Sequence, residues 1–316
     1  MTRAFVTGVN GQDGSYLVDR LLADGVEVHA LAHDLEPLPD LPEVHLHVGD
    51  VTVSDDVRRL LLEVAPDEVY NLAAVSSVAR SWTEPELTGR VNGLAAAALL
   101  DAALAAQDEH GRAVRVVQAS SAEIFGQPEH SPQDESTPVR PVNPYGAAKA
   151  YAHLMVDVYR RRGLHAVSLI LYNHESPRRP AHFVTRKITS TVAAIAQGRA
   201  TRLALGNLDA RRDWGWAPDY VDAMVRAARA ESPDDYVIAT GTAHSVRDFV
   251  AAAFDQVGIT DWESWVVADP DLVRPADASE LVGDSSRARE RLGWVPTREF
   301  ADVVAEMVRC DLADSP

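Results

Sequence analysis

Tyr145 and Lys149 stand four residues apart in Asn143-Pro144-Tyr145-Gly146-Ala147-Ala148-Lys149. At that spacing two side chains share one face of a helix, one turn from each other. An ammonium beside a phenol favours the phenolate and lowers a pKa that is otherwise about 10. Tyr145 is therefore a candidate base for a sugar hydroxyl, with Lys149 also free to bond a cofactor ribose. Spacing alone is weak evidence, because Tyr-x-x-x-Lys arises by chance on many surface helices. Composition adds to it: of 30 Lys+Arg only two are lysines, Lys149 and Lys187. A chain that uses arginine elsewhere has kept a compact ammonium here.

The pair needs a nucleotide site and a third polar group, and the elements upstream supply both. Ala4-Phe5-Val6-Thr7 reads as a strand, and Tyr16, Leu17, Leu21 and Leu22 recur at helical spacing. Between them lies Gly8-Val9-Asn10-Gly11-Gln12-Asp13-Gly14. Strand, glycine turn and helix form the context of a dinucleotide site, with helix amides offered to a pyrophosphate. Gly8, Asn10, Gly11, Gln12, Asp13 and Gly14 are its candidate residues.

Val26–Ala32 reads as a second strand ending at His33-Asp34, where an acid would bond the adenosine ribose. Val44–Val48 is a third, followed by Asp50 and Val51 on the adenine side. Glu68–Ala74 is a fourth, and Leu72, Ala73, Ala74 and Ser76 would lie along the cofactor. A helix near Gly93–Ala106 precedes a fifth strand, Val114–Ser121, and Ala166–Tyr172 is a sixth. The Lys149 helix is expected to run to Arg162. Ligands of doubly wound sheets bind outside the carboxyl ends of the strands, which turns Ser121 and Glu123 toward the cleft.

The expected fold is α/β, a doubly wound parallel sheet with a smaller C-terminal substrate lobe. Residues 1–172 form the dinucleotide domain and 173–316 mainly the lobe, with segments around 206–241 returning to the sheet. After Asn173 cations gather (Arg178, Arg179, Arg186, Lys187, Arg211, Arg212), and guanidinium forks suit phosphate oxygens. Ser285–Trp294 reads as a capped helix closed by Gly293.

A formal charge of −17 argues against nucleic acid or an anionic membrane as partner. No apolar run approaches the roughly 20 residues of a membrane helix, and no secretory signal is visible. One cysteine, Cys310, rules out an intrachain disulfide and fits a reducing compartment, so the cytoplasm is expected. The eleven histidines are scattered, and no metal site is expected.

With these residues in place the chain resembles an extended short-chain dehydrogenase/reductase, and within that class the GDP-mannose 4,6-dehydratase family. Beyond the glycine turn and the Tyr145 block, the likeness rests on Asn173-His174-Glu175-Ser176-Pro177-Arg178-Arg179 and Phe183–Ile188. Gly206–Gly215, Val237–Gly241 and His244–Arg247 extend it over nearly the whole chain.

The resemblance implies an NAD(P) cofactor, a GDP-sugar substrate and a 4-keto-6-deoxy product. It implies Ser121, Glu123, Tyr145 and Lys149 as catalytic residues, and adds His174 and Arg179 to the cofactor set. For the substrate it implies Asn173, Glu175, Ser176, Arg178, Val184, Lys187, Leu205, Gly206, Asn207, Arg212, Arg274 and Asp277.

Departures are equally specific. The family's two arginines after the second strand, which serve an NADP 2′-phosphate, read His33-Asp34 here, and its long tetramer-building loop is short. Asp34 repels a 2′-phosphate, so NAD is slightly favoured, whereas family resemblance favours NADP. A homodimer is expected, through the apolar faces of the helices near Gly93–Ala106 and Lys149–Arg162. The family threonine is Ser121, its Gln and His are Val75 and Ser77, its glycine is Pro180, and its Glu is Asp277. Rival readings are a nucleotide-sugar 4-epimerase, a 4,6-dehydratase of a GDP-heptose, and a catalytically silent binding protein.

Overall fold

Residues 1–33, 41–272 and 280–313 are described by a computed structural model. Their strands are β1 (Arg3–Thr7), β2 (Glu27–Ala32), β3 (Val44–Val48), β4 (Glu68–Asn71), β5 (Arg115–Ala119) and β6 (His165–Leu171). After these come β7 (Asn173–Glu175), β8 (Leu203–Leu205), β9 (Arg211–Trp216), β10 (Asp235–Ile238), β11 (Ala243–Ser245), β12 (Val266–Ala268) and β13 (Glu280–Leu281).

The main sheet has the order β3-β2-β1-β4-β5-β6-β10, with every neighbouring pair parallel. Its central strands read as continuous apolar runs because helices cover both faces; Ala4, Phe5 and Val6 are all fully buried. One face packs Val18 and Leu21 of helix Gln12–Ala23 with Met224 of helix Ala217–Ala228. The other packs Leu61 of helix Ser54–Val64, Leu99 of helix Ala95–His110 and Val156 of helix Pro144–Arg160. Strand order reverses between β1 and β4, and the crevice at such a switch is where this sheet type takes its ligand.

After β6 the chain builds a second unit around β9, which pairs with β7 and β13 in parallel and with β11 antiparallel. Its core holds Ile188, Trp214, Phe249 and Met307, with Trp214 and Phe249 edge to face at 5.3 Å. β10 returns to the main sheet beside β6, as the apolar run at 235–239 implies.

Two expected helices differ at their ends. The one expected over 93–106 is Ala95–His110, entered through a π turn at Arg90–Leu94, and the Lys149 helix stops at Arg160. Ser285 precedes helix Ser286–Leu292 without a side-chain cap bond, while Gly293 closes it at φ +62. No helix among the described residues is long and apolar enough to cross a membrane.

Candidate active site

The glycine turn is built for close approach. Gly8 has φ +75, and a Cβ there would lie 2.7 Å from the Ala73 amide nitrogen. At Gly14 it would lie 2.2 Å from Gly8 O, so the helix packs onto the turn only without a side chain. Gly11 begins helix Gln12–Ala23, and no side chain caps it. The end of β4 is held by Thr7, whose Oγ1 accepts from Leu72 N (3.2 Å) and Ala73 N (3.1 Å) and donates to Asn71 Oδ1 (2.7 Å). Those amides are lost to the ladder, so the strand expected to reach Ala74 stops at Asn71. Asn92 then fixes Val75, accepting from its N–H (2.7 Å) and donating to its C=O (3.0 Å).

The same turn is locked to the second unit. His174 Nδ1 lies 2.7 Å from Tyr172 O and Nε2 lies 2.9 Å from Asp13 Oδ2. Both partners accept, so both ring nitrogens donate and His174 is an imidazolium. Burial opposes its charge, but Asp13 outweighs burial and raises the His174 pKa; Asp13 is likewise lowered against its own burial. Gln12 donates to His174 O (3.0 Å) and accepts from Ser176 Oγ (2.8 Å). Ser176 thus lies behind the turn.

At the carboxyl end of β5, Ser121 opens a short 3-10 turn, Ala122–Ile124, and accepts from Glu123 N at 3.2 Å. Helix Pro144–Arg160 packs on this turn through Gly146, where a Cβ would lie 2.4 Å from Glu123 O. Asn143 joins the two: its Oδ1 accepts from Gly146 N (2.7 Å) as the helix cap, and its Nδ2 donates to Glu123 Oε2 (2.8 Å).

Tyr145 and Lys149 do share a face, but the expected depression of the phenol is not found. Lys149 Nζ reaches past the ring, 5.9 Å from its centroid, and donates to Ala119 O at 2.8 Å. Burial pushes Tyr145 up to about 12, partly offset by its hydrogen bond with Ser121. Burial pulls Lys149 down to about 8. Helical spacing placed the two side chains together without fixing where a long lysine ends.

These groups line one cleft of about 670 Å³, together with Asp13, Leu72, Ala74, Ser76, Asn173, His174, Glu175, Arg179, Val184, Lys187, Leu205, Gly206, Asn207 and Arg212. Both lysines of the chain are therefore in it. Glu175 is buried, accepts from Thr185 Oγ1 (2.5 Å) and lies 3.3 Å from Arg179 Nε; the Arg179 guanidinium stacks 3.8 Å above the Phe183 ring.

The expected cation cluster only half converges. Arg178 lies over the Tyr16 ring (4.0 Å) and pairs with Asp19 (2.8 Å), Arg186 pairs with Asp311, and Arg211 pairs with Glu280 (2.9 Å). His33 Nε2 is 3.7 Å from Asp50 Oδ2 at the ends of β2 and β3, with Val51 next in the chain and Thr52 donating twice to Asp50 Oδ1. Asp34, Arg274 and Asp277 lie outside the described residues.

Sequence reasoning missed Ser120, Trp82 and Phe183, which also line the cleft. Ser120 Oγ is buried with no partner among the described residues, an orphaned hydroxyl beside the Ser121 turn. A buried polar atom left to bond a ligand, in the cleft that Asp13 of the glycine turn also lines, fits a bound dinucleotide.

Fold and site together define a Rossmann-type chain of the short-chain dehydrogenase/reductase class. The GDP-mannose 4,6 dehydratase family matches over residues 5–307. GDP-mannose 4,6 dehydratase 1 of Arabidopsis thaliana is 44% identical over 98% of this chain and 89% of its own. The GDP-mannose 4,6-dehydratase of Vibrio cholerae is 41% identical over 98% and 94%. The UDP-glucose 4-epimerase of Thermus thermophilus, solved as a complex with NAD, superposes with TM-score 0.86 at 28% identity, covering 99% of this chain and 100% of that one. The chain belongs to the GDP-mannose 4,6-dehydratase family.

Proposed function

We propose that the chain is a nucleotide-sugar 4,6-dehydratase converting GDP-mannose to GDP-4-keto-6-deoxy-mannose and water. The observation that carries this is a single cleft holding two separate proton-transfer groups: Tyr145 with Ser121 and Lys149, and Glu123 clamped by Asn143. An epimerase needs the first set only.

Held against Gly8, Gly11 and Gly14, a nicotinamide dinucleotide would supply the hydride acceptor for C4, the donor for C6 and, when oxidised, a positive charge. Tyr145 takes the C4 hydroxyl proton while Ser121 orients O4. Because burial holds the phenol at about 12, it relies on positive charge nearby, and Lys149 is charged below about 8. The C4 ketone acidifies C5, from which Glu123 removes the proton. Glu123 then returns that proton to the departing C6 hydroxyl, which leaves as water; C5 takes up a proton from solvent while Tyr145 releases to solvent the one it took from the C4 hydroxyl. Asn143 acts through Glu123 as a positioning residue.

Residues 1–172 hold the dinucleotide and 173–316 mainly the GDP-sugar, with Lys187 and Arg212 toward its phosphates. NAD is preferred over NADP because of Asp34; tight retention of NADP by purified protein overturns that preference. We assign the protein to the cytoplasm, on its single cysteine. The assembly is a homodimer through Tyr151, Leu154 and Val158 of helix Pro144–Arg160 and Leu94 of the π turn that leads into helix Ala95–His110, all large apolar side chains left exposed. The deciding experiment is product mass together with the sugar NMR spectrum after incubation with GDP-mannose: loss of one water is expected. An isomer of unchanged mass would mean an epimerase, and unchanged substrate would mean a silent binder; turnover of a GDP-heptose alone would move the sugar.

A further inference from the structure

The outer edge of the main sheet gathers histidines that are scattered along the sequence. β2 and β3 pair in parallel with His29 opposite His45 and Leu31 opposite His47. Residues two apart on a strand share a face, so Glu27 and His29 of β2 stand beside His45 and His47 of β3. Glu27 Oε1 is 3.0 Å from His29 Nε2 and 3.9 Å from His45 Nε2, and one ligand atom from each of the three lies within 4.8 Å of the others. Ligands bound at about 2.0–2.1 Å around a tetrahedral ion stand about 3.3 Å apart, so small side-chain rotations bring these atoms to such spacing.

The second nitrogen of His29 is also committed. Its Nδ1 lies 3.0 Å from His47 Nε2, and the His29 ring stacks on His45 at 4.6 Å. A metal-ligating imidazole characteristically has its other nitrogen fixed by a hydrogen bond, which sets tautomer and ring orientation. We propose that Glu27, His29 and His45 bind one divalent transition-metal ion of the zinc type, with His47 as the outer partner of His29. Two imidazoles and one carboxylate select zinc, nickel or copper over magnesium, and leave positions open to water. Such an ion joins the exposed edge strand β3 to β2. The ends of these strands carry His33 and Asp50, so the clip stiffens the edge of the sheet below them.

The test uses the untagged full chain, stripped with a chelator and titrated with Zn²⁺ by calorimetry, then with Co²⁺ by visible absorption. One ion per chain is expected, with a rise in melting temperature and no heat from Mg²⁺. His45→Ala and Glu27→Gln should each weaken Zn²⁺ binding by at least about tenfold, and His47→Phe by about 10–100-fold. Turnover of GDP-mannose should be unchanged in His45→Ala, whose side chain is exposed on an edge strand. Absence of saturable Zn²⁺ binding to the parent chain overturns the proposal. So does parent-like affinity in both His45→Ala and Glu27→Gln, which would place any bound ion on the other histidines.

Discussion

Replacing Lys149 with methionine should disable the cleft and at the same time stabilise the cofactor-free protein. Lys149 is 3% exposed, and burial draws its pKa from an ordinary 10.5 to about 8. That difference corresponds to about 3 kcal/mol by which the folded cleft disfavours the ammonium at neutral pH. Methionine fills similar volume on a helix and removes this penalty. It also removes one of two side-chain donors to Ala119 O, which loses Lys149 Nζ at 2.8 Å but keeps Gln118 Nε2 at 3.0 Å, at a cost of about 1 kcal/mol. The expected net gain in cofactor-free protein at pH 7 is about 2 kcal/mol, or about 3 °C in Tm for a chain of this length.

The pH dependence checks the cause. Between about 8 and 10.5 the unfolded lysine holds a proton that the folded one has lost. Parent stability therefore rises with pH across that window, and the advantage of Lys149→Met shrinks toward zero or below by its upper end. Tyr145 titrates in both proteins and cancels in the difference. The assay is paired denaturant melts at pH 7 and pH 10, with turnover measured beside them. A variant less stable than the parent at pH 7, or an advantage equal at both pH values, would refute the reasoning.

Glu123→Gln keeps size and most hydrogen bonding but removes the base. Reduced-cofactor absorbance should build up with GDP-mannose, while 6-deoxy product falls by about 10²–10⁴-fold. Tyr145→Phe should instead stop the reaction before any reduced cofactor forms. Parent-rate product from Glu123→Gln means that elimination belongs to another residue. Asn143→Asp retains the acceptor for Gly146 N but sets a buried carboxylate against Glu123 in place of an N–H; Tm should fall, and kcat should drop at least about tenfold with KM nearly unchanged. A parent-like kcat removes Asn143 from the account. Leu154→Arg should halve the mass seen by light scattering, because Leu154 is 56% exposed on the proposed two-fold helix face; an unchanged mass, or a tetramer in the parent, rejects that interface.

What was legible in the sequence was local, and what was hidden joins residues distant along the chain. Apolar runs broken by a glycine turn placed the parallel strands, including β10, because period and turn chemistry act within about ten residues. The end of β4 was misplaced since Thr7, more than sixty positions upstream, takes the amides of Leu72 and Ala73. Arg178, Arg186 and Arg211 read as phosphate ligands until Asp19, Asp311 and Glu280 were brought beside them. Histidines at 29, 45 and 47 became a cluster only through strand register. The Tyr145–Lys149 pair shows the same limit at short range: spacing fixed the shared face, while the phenol's energetics came from burial against Ser121 and the β5 end. Asn143 is the instructive exception. It lies inside the motif that drew attention first, and one amide does two things: it starts the Tyr145 helix with its oxygen and holds Glu123 with its nitrogen. The cap of the helix that carries Tyr145 is thereby also the clamp on Glu123, so one side chain couples the positions of the two proposed proton-transfer groups.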